Sequence, residues 1–264
     1  MTPMPVLPTT LERGSGATAV FLLHGVGGGK QVWHENLDAI AAAGYRAIAW
    51  DMPGYGESAT LEPYTVRSLA DVLRSLIDHV GADRSLVLGH SMGGMVAQEL
   101  VALAPARVHG LILSGTSPAF GRPDGNWQRQ FLQERFAPLD AGQTMAQLAA
   151  QLVPTMMAPD ADPQALQRAR DVMAAVPQAS YRAALQAIVA FNRMPELTRI
   201  AVPALCLAGE HDRNASPAVM RRMADAIPGA HYLCLGAVGH LANMERPAHF
   251  NAAVLQFLQA HFPA

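Results

Sequence analysis

Residues Ser85 to Ala97 read Ser-Leu-Val-Leu-Gly-His-Ser-Met-Gly-Gly-Met-Val-Ala, and no other stretch of the chain limits its fold so tightly. A short apolar run leads into Gly-His-Ser-Met-Gly, and a helical pattern follows. A serine at such a strand-to-helix bend needs residues without bulky side chains two positions before and two after it, which accounts for Gly89 and Gly93. The Ser91 hydroxyl is then pushed out over the edge of a sheet. The backbone N–H groups that follow belong to a helix N-terminus, whose partial positive charge suits a developing oxyanion. These features describe a nucleophilic hydrolase.

The rest of the chain supplies the sheet this bend requires. Continuous apolar runs at Ala17–Leu23, Tyr45–Trp50, Ser85–Leu88 and His109–Leu113 suit parallel strands covered on both faces. Helical patterns lie between them, at about Gln31–Ala43 and in Thr65–Val80, where Val66, Leu69, Ala70, Leu73, Leu76, Ile77 and Val80 recur at spacings of three and four. Alternation of this kind predicts a doubly wound α/β fold. From about Ser117 to Leu197 it stops: the segment is rich in Met, Ala and Gln, punctuated by prolines, and predicted helical. Strand–helix units resume at Pro203. We therefore divide the chain into a core, 1–116 and 198–264, and a helical cap insertion, 117–197.

Composition excludes several function classes. Apolar residues make up 50% of the 264 residues and charged ones 15%, so the chain can bury a large core and is not a polyelectrolyte. A formal charge of -2 with no Lys/Arg cluster gives nucleic acid no counterion-release term. No segment is apolar enough to span a bilayer, and Met1–Gly16 contains no run of signal-peptide length. The expectation is a soluble cytoplasmic protein, monomer or homodimer, acting on a small molecule. Cys206 and Cys234 both lie in apolar strand-like runs and are expected to be buried free thiols.

A serine hydroxyl needs a base, and the base a third group to hold its ring. In a parallel sheet these groups emerge at the carboxyl ends of strands. Asp212 follows the run Leu205–Ala208 and His240 follows the run ending near Leu235, in the chain order Ser, Asp, His of the strand-turn-helix serine class. Glu210 is the competing acid. His24 is expected to brace the glycine-rich loop, and His90 to be structural, with its ring directed away from the nucleophile. The loop Gly25-Val26-Gly27-Gly28-Gly29-Lys30 fails as a phosphate loop, because His24 and Gln31 stand where Gly and Ser or Thr are needed. Its expected role is to give one oxyanion donor, the Val26 N–H, beside that of Met92. No metal-ligand pattern and no cofactor motif is present.

Five motifs in order, His24-Gly25-Val26-Gly27-Gly28, Asp51-Met52-Pro53-Gly54-Tyr55-Gly56-Glu57-Ser58, Gly89 to Gly94, Gly209-Glu210-His211-Asp212 and Gly239-His240, together resemble the α/β-hydrolase superfamily. The resemblance implies an eight-stranded, mostly parallel sheet with a cap, and carries nucleophile, acid and base to Ser91, Asp212 and His240. Only about sixteen residues precede the first core strand, so the usual N-terminal hairpin must be short or incomplete. Gly-His-Ser-Met-Gly-Gly-Met-Val-Ala-Gln-Glu and Gly-His-Leu-Ala-Asn-Met-Glu-Arg-Pro are similar to 3-oxoadipate enol-lactone hydrolases and related small-ester hydrolases.

The activity this implies is hydrolysis of a carboxylic ester or lactone through an acyl-enzyme. C–C bond hydrolysis of a vinylogous diketone is the alternative on the same triad, and a small-molecule receptor is the non-enzymatic one. Candidate substrate-binding residues are Trp33 from below and, from the cap, Phe120, Trp127, Phe131, Met145, Met156 and Met157. Arg122, Arg129 and Arg193 are candidates to pair with a substrate carboxylate, as an enol-lactone acid would require.

Overall fold

The computed structural model describes residues 7–121 and 125–264. Seven strands form one sheet: β1 (Thr10–Arg13), β2 (Thr18–Leu23), β3 (Arg46–Trp50), β4 (Arg84–His90), β5 (Gly110–Ser114), β6 (Ala204–Gly209) and β7 (His231–Leu235). Their spatial order is β1-β3-β2-β4-β5-β6-β7. Only β1 runs antiparallel, pairing Thr10 with Trp50 and Arg13 with Ala47. The expected eight strands are thus seven among the described residues, with a single strand in place of the N-terminal hairpin.

Ten α-helices lie among the described residues: α1 (His34–Ala42), α2 (Val66–Val80), α3 (Met92–Leu103), α4 (Asn126–Asp140), α5 (Met145–Met156), α6 (Pro163–Ala174), α7 (Gln178–Val189), α8 (Pro217–Ala226), α9 (Ala242–Glu245) and α10 (Pro247–His261). None is long and apolar enough to cross a membrane.

Strand alternation splits the core into two layers. Phe21, Leu23, Val87 and Leu113 face α2, α3 and α8, where Leu69, Leu73, Leu100 and Met220 meet them. Val20, Leu22, Leu88 and Ile112 face α1 and α10, against Leu37, Ile40, Phe250 and Val254. The strands therefore read as unbroken apolar runs rather than alternating ones. Helix α2 buries the predicted face and is closed at its start by Thr65 and Ser68, each side chain accepting the other's backbone N–H at 3.0 Å. Like edge strand β1, strand β7 lacks two-sided cover. Its outer face leaves Cys234 exposed, while Cys206 on β6 is buried, so the expectation for Cys234 is corrected.

Between β5 and β6 the described residues form α4 to α7 and no strand, only an isolated bridge between Ala119 and Asn192. That bridge joins the two roots of the insertion. Phe120 N–H donates to Phe191 O at 3.0 Å and Arg193 N–H to Pro118 O at 2.7 Å. The Arg193 guanidinium then reaches back to α3 and grips both carboxylate oxygens of buried Glu99, each at 2.6 Å. This ion pair fastens the insertion to the helix that starts at Ser91.

Removing the guanidinium would leave the buried Glu99 carboxylate with only the more distant Arg67, at 3.8 Å. Arg193→Ala is expected to lower unfolding free energy by about 3 kcal/mol. Urea denaturation followed by circular dichroism checks this, and Glu99→Gln combined with Arg193→Met should recover most of the loss.

Candidate active site

Ser91 sits between β4 and α3 with φ 53° and ψ −118°, a backbone conformation that costs a non-glycine residue about 1–3 kcal/mol. Its surroundings leave it no alternative. The Ser91 N–H donates to Ser114 O at 2.9 Å, and the Thr116 hydroxyl donates to Ser91 O at 2.7 Å. A Cβ on Gly89 would lie 2.4 Å from Gly93 O, and one on Gly93 would lie 2.3 Å from Leu23 O. The two glycines are therefore required by close backbone approach.

The carboxyl ends of β6 and β7 bring Asp212 and His240 to the same edge. His240 Nδ1–H donates to Asp212 Oδ2 at 2.8 Å, and both side chains are buried. Asp212 Oδ1 accepts the N–H groups of Asn214 and Ala215 at 2.8 and 2.9 Å. Burial would raise the Asp212 carboxyl pKa, but the adjacent His240 and those hydrogen bonds outweigh it and hold the group below its ordinary value. Glu210, the competing acid, is turned to the Ala237 N–H at 2.9 Å and is exposed.

With Nδ1 engaged, His240 keeps Nε2 on the far side of its ring, and the ring lines one cavity with Ser91. No hydrogen bond joins Ser91 Oγ to His240 among the described residues. Such nucleophile–base contacts commonly tighten only once substrate is seated.

His90 lies nearer the chemistry than its sequence position implied. Its ring lines the same cavity and packs at 4.7 Å from the His240 ring. Burial first, and then the neighbouring His240, lower its pKa to about 3, so it stays neutral.

The glycine-rich loop is held from below by polar groups. His24 Nε2 accepts the Met52 N–H at 3.0 Å, so Nδ1 carries the proton and donates to Gly25 O at 2.8 Å. Gly28 N–H also donates to Gly25 O, at 3.0 Å. Because a peptide is trans, pinning the Gly25 carbonyl aims the Val26 N–H the opposite way. The Tyr55 hydroxyl donates to Val26 O at 2.9 Å. At the loop's end Lys30 pairs with buried Asp51, Nζ to Oδ2 and backbone N–H to Oδ1 both at 2.8 Å. The lysine that suggested a phosphate loop thus closes a turn.

A third buried acid ties the His240 loop to the end of α5 and the residues after it. Glu245 accepts the Gly239 N–H at 2.9 Å and the Ala158 N–H at 2.7 Å, while His240 N–H donates to Met156 O at 2.6 Å. Burial raises the Glu245 pKa against the opposing pull of these backbone donors.

The cavity measures about 100 Å³ and is walled by Val26, Val32, Val153, Met156, Ala169, Met173, Leu241 and Met244 beside the polar groups. Among the residues expected to bind substrate, Met156 lines it. The structure puts the others elsewhere. Trp33 is fully buried against Phe250, and its neighbour Val32 takes the wall position. Phe120, Trp127 and Phe131 stack on one another at 4.9–5.5 Å, away from the cavity. Met145 is core, and Met157 lines a separate groove with Glu210 and Asp212.

Arg193 is committed to Glu99, Arg129 bonds Asn126, and Arg122 lies outside the described residues. Val153, Ala169 and Met173 escaped the sequence reading, although the pairs Val153/Met156 and Ala169/Met173 share helix faces at spacings of three and four. No group of three His, Cys, Asp or Glu side chains among the described residues is placed to hold a metal.

Burial lowers the His24 pKa from 6.5 to about 4. Between those values the unfolded chain takes up a proton that the fold refuses, so stability falls as pH drops. The expected loss from His24 is about 3 kcal/mol between pH 7 and pH 4, with His90 adding in the same direction. Urea midpoints across that range check it. A flat profile would refute the neutral-histidine account.

The family model described as the alpha/beta hydrolase fold matches residues 18–247. A Mycobacterium tuberculosis protein bearing the name non-heme bromoperoxidase BpoC is 31% identical over 93% of this chain and 95% of its own length. A Variovorax paradoxus protein bearing the name carbamate hydrolase RutD is 32% identical over 91% of each. The crystal structure of the enol-lactonase from Burkholderia xenovorans LB400 superposes with a TM-score of 0.85 at 29% identity, covering 95% of this chain and 96% of that one. A family match across nearly the whole sheet, joined to the bend at Ser91, makes this chain a member of the α/β-hydrolase fold family.

Proposed function

We propose that the chain is a serine hydrolase of a small carboxylic ester or lactone. The observation that carries this reading is the His240–Asp212 hydrogen bond at 2.8 Å, which commits Nδ1 and leaves Nε2 to act as base in the cavity that Ser91 lines. Ser91 Oγ attacks the carbonyl carbon while His240 takes its proton. The tetrahedral oxyanion is met by the N–H groups of Val26 and Met92. The Gly25 carbonyl contacts and the start of α3 support this assignment, since each leaves its N–H without an acceptor among the described residues. His240 then protonates the leaving alcohol, and water cleaves the acyl-enzyme by the same steps in reverse. Asp212 keeps the imidazole in the required tautomer and stabilises its charge. Helices α4 to α7 serve as the cap over the acyl group.

Ser91→Ala is expected to lower kcat for p-nitrophenyl acetate by about a million-fold. Its thermal melt should stay within a few degrees of the parent, so that the loss reads on chemistry. A fluorophosphonate probe should label Ser91 in the parent chain. Undiminished turnover in the variant would overturn the assignment, and an unlabelled Ser91 would favour the receptor reading.

A further inference from the structure

Most of the wall beside Ser91 is apolar. Val153, Met156 and Met173 close it from the insertion, and Leu241 and Met244 close it from the segment after the base. Asn243 contributes a polar side chain, whose amide already donates to Val32 O at 2.9 Å. Among the described residues no Lys, Arg, Asp or Glu lines the cavity.

Four of the basic groups on the elements around it are paired, and Arg170 on α6, whose buried Nε has no hydrogen-bond partner, is not among the lining residues. Lys30 holds Asp51 at 2.8 Å, Arg193 holds Glu99 at 2.6 Å, Arg246 holds Asp160 at 3.2 Å and Arg168 holds Glu35 at 3.6 Å. A carboxylate carried into this space would shed its water and meet no countercharge. Size sets a second limit. A cavity of about 150 Å³ takes benzene, so the 100 Å³ here accommodates an acyl chain of about two to four carbons.

We infer that, on the hydrolase reading above, the acyl half of the substrate is short and uncharged, with Met173 and Met156 setting its length. This departs from the enol-lactone acids suggested by the sequence motifs, whose carboxylate needs an arginine that Arg193 cannot supply.

The test is a panel of p-nitrophenyl esters on the full chain: acetate, butyrate, octanoate and the half-ester of succinate, which places a carboxylate at butyrate-like length. Acetate or butyrate should lead. Succinate is expected to fall about 100-fold or more below butyrate in kcat/KM, and octanoate about 10-fold or more. Met173→Ala should raise the octanoate-to-acetate ratio about 10-fold without improving succinate. The parent panel decides the matter even if that variant folds poorly.

A lead for succinate or octanoate in the parent overturns this inference. It leaves the hydrolase reading intact if turnover still requires Ser91. No turnover of any ester, with Ser91 unlabelled by fluorophosphonate, overturns both.

Discussion

A backbone torsion at one residue organises the functional end of this molecule. Ser91 is held at φ 53° because β4 must turn into α3 within a single residue, and the turn closes only where Gly89 and Gly93 let backbones touch. The local cost is offset by two hydrogen bonds from β5 and its following loop, the Ser91 N–H to Ser114 O and the Thr116 hydroxyl to Ser91 O. Those bonds make β5 part of the site although it contributes no reacting group. The second of them also gives the Thr116 hydroxyl its place.

Around the bend, four buried polar groups are satisfied in pairs that cross between elements. His24 joins the β2 loop to the β3 loop, Asp51 joins the β3 end to Lys30, Glu99 joins α3 to the insertion root, and Glu245 joins the base loop to the insertion. Each would be expensive if left alone in the interior. Together they make loop positions as definite as strand positions. Two of the histidines are kept neutral by burial, so His24 holds the loop by hydrogen bonds and the His90 ring packs on His240 without adding positive charge there.

The parallel sheet and the placing of Ser91, Asp212 and His240 at the ends of its strands were legible because local rules act there. Apolar runs mark strands buried on both faces, and spacings of three and four mark α2. Glycine spacing marks the bend. Side-chain partners were less legible. Trp33 and Val32 differ by one position on the same short turn, and only the packing of α10 decided that the tryptophan faces Phe250 while the valine faces the cavity. The aromatic trio Phe120, Trp127 and Phe131 satisfies itself, which composition could not distinguish from a pocket wall. His90 likewise turned toward His240 rather than away from the site.

By itself the chain determined a doubly wound sheet, a sharp bend at Ser91, and Asp212 and His240 following it in order after later strands. These follow from periodicity, glycine steric demands and the direction in which parallel strands end. Tertiary structure alone decided which charges are spent on one another and which face the cavity. Arg193 shows why: a guanidinium can pair with a substrate carboxylate or a buried glutamate, and the choice depends on Glu99, 94 residues away in the chain, arriving within 2.6 Å. Long-range proximity of that kind has no local signature. The uncharged character of the space beside Ser91 is therefore a property of the folded molecule.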